Sequence, residues 1–421
     1  MFALLFLMIG FGFAIWVSMG ISGAIYLLIR SDVSLRLIVS QMVSGVNSDT
    51  LIAIPFFILA GNLMSVTGIT RKLTDFADFF VGRFRAGLAY VSIVVSVFMA
   101  GISGSAVSDA SSTSAVLHPI MKQRGYDDTF AAAINSSSAV IGPIIPPSIP
   151  MLQIGIISGI SIGRMFIGGF IPGLLIATIL WIMVTFQAKK RGYESVEIHR
   201  SWSKFGSLLK DTILALLAPV IIISGVVFGF VTLVEVAALS IIYILLISIF
   251  VYKSLTIRSF FKTITDTAIF STSIMIIFAV VGIYQYIVSS EQLGQQMLSL
   301  IQTLNLSKNM FLLVSLIFFL LMGCILDAVP VMLIFFPVLL PVAIELGIDP
   351  VHYGVIVVFN LMIGLVTPPV GALLFIQTKI AKVGINELIR EMWPHITALV
   401  AVLVLITYVP SLVTWLPSLV F

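Results

Sequence analysis

The sequence predicts an all-α polytopic membrane protein built as an inverted repeat, with two re-entrant helical hairpins and two broken transmembrane helices. Three observations predict it. The hydrophobic fraction of the 421 residues is 60% and the charged fraction only 10%, far below the roughly 25% charged residues of a soluble domain. Apolar stretches of about 20 residues, the length that crosses a bilayer, recur from end to end. A Gly- and Pro-rich pattern occurs twice, 222 residues apart: Gly142-Pro143-Ile144-Ile145-Pro146-Pro147 and Gly364-Leu365-Val366-Thr367-Pro368-Pro369.

The same offset holds upstream without a gap. Gly101 aligns with Gly323, Ala106-Val107 with Ala328-Val329, Pro119 with Pro341, Gly125 with Gly347 and Asp127 with Asp349. Shared Gly and Pro carry more weight than shared aliphatics, because these residues set backbone conformation. Two hydrophobic halves broken at matching places are the sequence sign of a secondary transporter. The halves divide as 1–210 and 211–421, each with scaffold spans, a hairpin and a broken helix.

Spans are expected at 1–29, 51–70, 129–160, 166–187, 212–229, 233–252, 268–288, 353–376 and 394–417. Segments 86–121 and 310–342 have Gly- or Pro-rich midpoints and are expected to enter and leave on one side. The run 1–29 is too long for a signal-peptide core and lacks a basic flank, so it reads as a retained span. With this arrangement 18 of the 22 Lys and Arg fall on one face, from Arg71 and Lys72 through Lys189, Lys190 and Arg191 to Arg390. Only Arg30, Arg36, Arg164 and Lys308 fall on the other. The basic face is cytoplasmic by the positive-inside rule, which places the N-terminus in the cytoplasm and the C-terminus in the periplasm. An odd number of crossings separates the repeats, so they run in opposite directions. The tips Gly101–Ser108 and Gly323–Pro330 would then meet near the midplane, beside the Pro-broken helices.

The net charge of +4 is therefore a topology signal, and no nucleic-acid partner is implied. The single Cys324 excludes an intramolecular disulfide and a Cys-based metal cluster. No Walker motif is present, and Gly168-Gly169 follows no strand, so nucleotide chemistry has no support. Segments 188–211, with Trp202, and 30–50, with its counterpart 253–266, read as interfacial amphipathic segments that brace a scaffold.

The first tip carries six serines, Thr113 and Asp109 between Gly101 and Ser114. Small hydroxyl residues suit tight helix packing and can bond back to their own helix. Clustered with glycine at membrane depth, they also suit a hard cation, which takes carbonyl and hydroxyl oxygens. In the second tip Asp327 takes the place of Ser105. An intramembrane carboxylate is a functional candidate by default, and an Asp before Pro330 is equally a helix cap. Asp109 carries the same two readings. Asn135-Ser136-Ser137-Ser138 faces a cavity or packs small side chains. Substrate-cavity candidates are Ser108, Asp109, Asn135 and Ser138. His118, whose counterpart is Leu340, reads as structural.

At Gly142–Ser148, Gly364–Gly371 and Gly323-Cys324-Ile325-Leu326-Asp327 the chain resembles the large membrane (M) subunit of tripartite ATP-independent periplasmic (TRAP) transporters. The resemblance runs from about Phe11 to Pro410. It implies an elevator-type, ion transporter superfamily-like fold and a Na⁺-coupled importer of an organic acid, of the C4-dicarboxylate or sialic acid type, in the bacterial inner membrane. It implies a small four-helix membrane (Q) subunit and a periplasmic substrate-binding (P) protein as partners, two or more co-transported Na⁺ ions, and no organic cofactor. By the same resemblance one Na⁺ site uses Ser103 and Ser105 with carbonyls around Gly142, Ile145 and Pro147. The other uses Gly323 and Asp327 with carbonyls around Gly364, Thr367 and Pro369. The chain departs from the family at Thr232-Leu233-Val234-Glu235-Val236-Ala237-Ala238, within a scaffold span.

Two competing classes remain at this stage. A channel would line a pore with the broken helices, but its filter normally comes from oligomer symmetry, whereas the symmetry here is internal. An intramembrane hydrolase would pair a serine with His118, and no base lies at a recognisable spacing. Neither an enzyme nor a catalytic residue is expected.

Overall fold

A computed structural model describes residues 1–29, 34–195, 202–229 and 231–421, without the side chains of Leu35, Trp202, Ser203, Lys204, Ser207, Asp211 and Leu300. Arg30 and Arg200, both used in the charge count, lie outside the described residues, as do the centre of the interfacial segment expected at 188–211 and the side chain of Trp202. Every regular element among the described residues is helical.

The chain opens with α1 (Phe2–Gly10) and α2 (Ile15–Ile29). One span was expected over 1–29, but Gly12 turns with φ +84° and the two helices pack on each other. At about 1.5 Å per residue the 9-residue α1 is far too short to cross a bilayer of roughly 30 Å. Met1 packs on the cluster of Leu27, Ile38, Ile283 and Ile287. The N-terminus therefore sits at the end of α2 that leads to Ile29, and not at the opposite end, as a single crossing would require.

The helix α3 (Leu35–Val46) leads through the short turn Asp49–Ile52 into α4 (Ala53–Val66). Gly68, at φ +74°, turns the chain into α5 (Ile69–Val81). The first hairpin is α6 (Gly87–Ser103) and α7 (Ala106–Gln123). The first broken helix follows as α8 (Asp128–Ala139) and α9 (Ile149–Ser158), and α10 (Ile162–Arg191) closes the half.

Next come α11 (Trp202–Val227), which runs unbroken through the boundary expected at 210–211, and α12 (Leu233–Leu246), the latter ending in a π turn at Ile247–Val251. The long α13 (Ile257–Ser290) and α14 (Leu293–Thr303) precede the second hairpin, α15 (Lys308–Ile325) and α16 (Ala328–Glu345). The second broken helix is α17 (Pro350–Gly364) with α18 (Ala372–Ala381), then α19 (Ile385–Tyr408) and α20 (Ser411–Val420). Among the described residues, eight helices are long and apolar enough to cross a membrane.

Helix boundaries keep the 222-residue offset. Shifted by it, α7 begins and ends with α16, α6 falls on α15, α5 on α14, α8 on α17 and α9 on α18 within a few residues. Separate α3 and α4 fall on the two ends of the single helix α13. Capping follows the same rule. Ser105 caps α7 where Asp327 caps α16, and Asp127 caps α8 where Asp349 caps α17. Both Pro-Pro bonds, 146–147 and 368–369, are cis.

The halves interlock. α9 packs on α16 of the other half, and α18 packs on α7. Gln377 of α18 fixes the second contact, donating to Ser114 Oγ at 2.6 Å and to the Ala110 carbonyl at 3.3 Å. A polar tie of this kind is well placed between helices that cannot use the hydrophobic effect against lipid. On the other flank α3 crosses α13 with Gly45 against Gly282, close enough that a Cβ on either would lie 3.1 Å from the other's Cα. Helices cross that closely only where the residues are small.

Candidate functional site

Each hairpin tip meets the break of its own half. In the first, α6 ends at Ser103, Gly104 turns with φ +58°, and Ser105 caps α7. A Cβ on Gly104 would fall on the Pro147 carbonyl, so the tip approaches the break at a distance that only glycine permits. The Ile149 amide donates to the Gly104 carbonyl at 3.3 Å. On the break, Ser148 Oγ donates to the Pro143 carbonyl at 2.5 Å and accepts from the Met151 amide at 3.2 Å. That serine satisfies two backbone groups which the broken helix leaves without intrahelical partners.

Ser103 Oγ donates to Asp109 Oδ1. Asp109 is fully buried, and its other oxygen lies where a Cβ on Gly142 would be. That oxygen and the hydroxyl of Thr113, one turn further along α7, have no hydrogen-bond partner among the described residues. The structure thus brings together Ser103, Ser105, Asp109, Gly142 and Pro147. Ile145 lies in the same break but packs its side chain toward Gly173 of α10.

The second pair is tighter at the backbone and poorer in hydroxyls. Gly323 and Gly364 touch main chain to main chain, and the Val370 amide donates to the Cys324 carbonyl at 3.2 Å. Thr367 Oγ1 donates to the Ile363 carbonyl of its own helix at 2.7 Å. Asp327 accepts from the Ala328 amide at 2.8 Å, the geometry of a cap, and its side chain is exposed. The first break is buried throughout, whereas the second opens to the surface at Pro369 and Val370.

A cavity of about 430 Å³ lies against the first tip. One wall is the tip and the first turns of α7, with Ser103, Ser105, Ser108, Ser111 and Ser112. The facing wall is formed by Asn62 and Ser65 of α4, and Phe270 of α13. Ser65 Oγ and Ser108 Oγ lie 3.4 Å apart across this boundary, and Asn62 Nδ2 donates to Thr267 Oγ1 at 2.9 Å. Of the four cavity candidates only Ser108 lines it. Asn135 and Ser138 are fully buried and packed on α6: Ser92 Oγ donates to Asn135 Oδ1 at 2.7 Å, and Ser96 Oγ donates to Ser138 Oγ at 3.0 Å. The packing alternative describes these two. Asn62 and Ser65 escaped the sequence reading, although a lone Asn inside an apolar run was a legible signal.

No group of three His, Cys, Asp or Glu side chains comes together among the described residues. The donors at the tips are hydroxyl, carbonyl and carboxylate oxygens, which suit hard cations. His118 instead faces Asp128, with Nε2 3.1 Å from Oδ1, at the base of the first hairpin.

That base is charged. Lys122 pairs with Asp128 at 2.6 Å, Arg124 with Asp78 at 3.5 Å, and Arg191 with both Glu391 at 2.6 Å and Asp127 at 3.3 Å. Partial burial works to raise the Asp127 carboxyl, but the hydroxyl and amide of Thr129 and the Arg191 guanidinium outweigh it and hold the group below its ordinary value.

The family model that describes the DctM component of tripartite ATP-independent periplasmic transporters matches residues 2–412. The chain is 35% identical to the sialic acid TRAP transporter large permease protein SiaM of Vibrio cholerae, over 94% of this chain and 92% of that protein. It is 32% identical to the C4-dicarboxylate TRAP transporter large permease protein DctM of Rhodobacter capsulatus, over 99% and 98%. The solved structure of the YdaH transporter of Alcanivorax borkumensis has a similar fold, with a TM-score of 0.64 at 14% identity over 89% of this chain and 88% of that one.

Proposed function

Because the chain belongs to the DctM component family of tripartite ATP-independent periplasmic transporters, we propose that this large permease subunit moves an organic acid inward by coupling it to Na⁺. The observation that carries the coupling is the pairing of each hairpin tip with a broken helix at one sequence offset. Such breaks expose backbone carbonyls and helix termini at membrane depth, where an ion or substrate must satisfy them. The first ion is held by Ser103, Ser105 and carbonyls of the break from Gly142 to Pro147. The second is held by Gly323 and the Asp327 tip with carbonyls from Gly364, Thr367 and Pro369.

The hairpins and broken helices form the moving body, and α2, α4, α12 and α13 the scaffold against which it slides as an elevator. The boundary between α4 and α7, bridged by Ser65 and Ser108, is the sliding surface and holds the substrate. The relatives named for sialic acid and C4-dicarboxylates support an organic acid as cargo. A small membrane subunit completes the scaffold, and a periplasmic binding protein delivers the acid.

The face that carries Lys122, Arg124 and Arg191 is cytoplasmic in the bacterial inner membrane. With that face inside, Met1 lies on the periplasmic side together with the C-terminus, a reading that the packing of α1 on α2 supports. The test is uptake of N-acetylneuraminate and succinate into proteoliposomes containing this chain, its membrane partner and its binding protein. Uptake should follow an inward Na⁺ gradient and stop when K⁺ replaces Na⁺. Equal rates in the two salts would remove the coupling.

A further inference from the structure

We propose that the cavity between α14 and the second hairpin holds one acyl chain of a membrane phospholipid.

The two halves differ at one seam. In the first half α5 lies along α6, with the Phe76 and Phe98 rings 6.2 Å apart and Thr70 Oγ1 donating to Met99 Sδ at 3.7 Å. At the 222-residue offset Phe76 and Phe98 fall on Leu298 and Leu320, and Thr70 and Met99 on Gln292 and Leu321. Neither the aromatic pair nor the hydroxyl–sulfur bond has a counterpart there. Instead α14 leans on α16 and α13, and a cavity of about 600 Å³ lies between it and α15. Phe2 of α1 forms part of the wall, stacked on Phe335 with ring centroids 5.6 Å apart, and Phe318 meets the same ring edge-on at 5.0 Å.

The lining favours an apolar guest over water. Only Gln296 and Ser315 bring polar side chains to it. Gln296 Nε2 donates to the Glu291 carbonyl at 2.8 Å, and Ser315 Oγ pairs with the Tyr353 hydroxyl at 2.7 Å. An apolar cavity stays dry and takes apolar guests. Left empty, it forfeits the dispersion contacts of its walls.

The way in is from the bilayer. Of the wall residues, Leu304 is 59% and Val314 47% exposed. Val314 lies on α15, a helix of membrane-spanning length, with Leu313, Ile317 and Leu321 exposed beside it. It is six residues past Lys308, where α15 begins, or about 9 Å into the span. That mouth therefore opens at hydrocarbon depth.

Shape and charge select the guest. The lining along α15 from Phe311 to Phe318 covers about 10 Å at 1.5 Å per residue, and Leu304 and Leu306 extend it toward the interface. One leaflet of hydrocarbon is roughly 15 Å deep, half of the bilayer core, so a single acyl chain matches the cavity in length. A partner helix is too thick: a piece about 10 Å long and 10 Å across fills roughly 800 Å³. At the interfacial end, Lys308 is exposed and donates to the Gly347 carbonyl at 2.8 Å. Its ammonium has three donors, which leaves N–H groups for the phosphate that a phospholipid carries at the head of its chains.

The test places the chain and its membrane partner in proteoliposomes containing phosphatidylglycerol with a diazirine in one acyl chain. After illumination, labelled residues are mapped by peptide mass spectrometry. Met297, Phe318 and Phe335 should be labelled. Val338→Trp, which fills the cavity, should lower that labelling by about tenfold, because an overpacked site leaves no room for a chain. Val314→Trp, at the already exposed mouth, should do the same where Val338→Trp fails to fold. Labelling of Leu321, on the outer face of α15, should be unchanged in both. Labelling confined to the outer face, or equal in the parent and the filled variants, would overturn the proposal. Labelling of the lining by diazirine-tagged palmitate and not by the phospholipid would overturn it in favour of a free fatty acid. An unlabelled lining, with a Val314→Cys variant that cross-links to the partner subunit, would overturn it in favour of a protein contact.

Discussion

Gly364 of the second broken helix rests on Gly323 of the second hairpin, main chain against main chain, so that a Cβ on Gly364 would lie 2.5 Å from the Gly323 carbonyl oxygen and 2.7 Å from its Cα. Neither backbone can move without separating the tip from the break. Gly364→Ala should therefore push the hairpin off the broken helix, at a cost of about 1–3 kcal/mol, the scale of an overpacked interior. The expected outcome is a lower melting temperature and loss of uptake even where the protein reaches the membrane. Normal melting and normal uptake would show that this contact loosens freely.

Asp327 separates two roles that the geometry alone combines. Its carboxylate caps α16 through Ala328, and Asn provides the same capping oxygen without the charge. Asp327→Asn should leave melting within about 0.5 kcal/mol of the parent and reduce uptake by tenfold or more. Near-normal uptake would leave Asp327 as a cap alone.

Asp127 predicts a pH dependence. Its carboxyl is held below its ordinary value in the folded chain, so its contribution is present above the unfolded pKa, roughly 3.9, and is lost as pH falls through the lower folded value. Because the side chain is 48% exposed, the contribution should not exceed about 1 kcal/mol. Asp127→Asn should melt slightly below the parent at pH 7, and the gap should close as pH is lowered below about 4. A gap that widens on acidification would reverse the sign and remove the Thr129 hydrogen bonds and the Arg191 pairing as its cause.

The proposed orientation predicts which side of the membrane introduced cysteines face. A cysteine placed beside Lys190 should label only from the cytoplasm. Cysteines placed beside Asp349 or ahead of Met1 should label only from the periplasm. Labelling of the N-terminal cysteine from the cytoplasm would restore the single crossing over 1–29.

The 222-residue offset of the helix boundaries was legible in the sequence because its markers are Gly and Pro, whose backbone demands survive when aliphatic side chains drift. The hairpin tips, the two breaks and the caps at Asp127 and Asp349 fall where those residues put them. Other elements were hidden for identifiable reasons. The helices α5 and α14 lie where charges and amides, from Arg71 to Asp78 and from Gln295 to Gln302, interrupt the apolar runs that mark spans. Residues 1–29 stay apolar through the turn at Gly12, so hydropathy alone joined α1 to α2. At the site, Ser103, Ser105, Gly142 and Pro147 come together as expected. Asn135 and Ser138 turned inward because a run of small polar residues serves helix packing as well as it lines a cavity. The cavity wall at Asn62 and Ser65 depends on contacts between segments more than 40 residues apart, which composition does not encode.

In the proposed coupling both tip–break pairs bind Na⁺ during transport. The most direct measurement is the initial rate of acid uptake as a function of external Na⁺, for the parent chain and for the combined Ser103→Ala, Ser105→Ala variant. Two linked sites predict a sigmoidal dependence in the parent. In the variant, loss of the hydroxyl ligands of one site should raise the half-saturating Na⁺ by about fivefold or more, corresponding to about 1 kcal/mol or more. A parent rate that does not vary with Na⁺, or a variant curve that superimposes on the parent's at equal expression, would contradict the account.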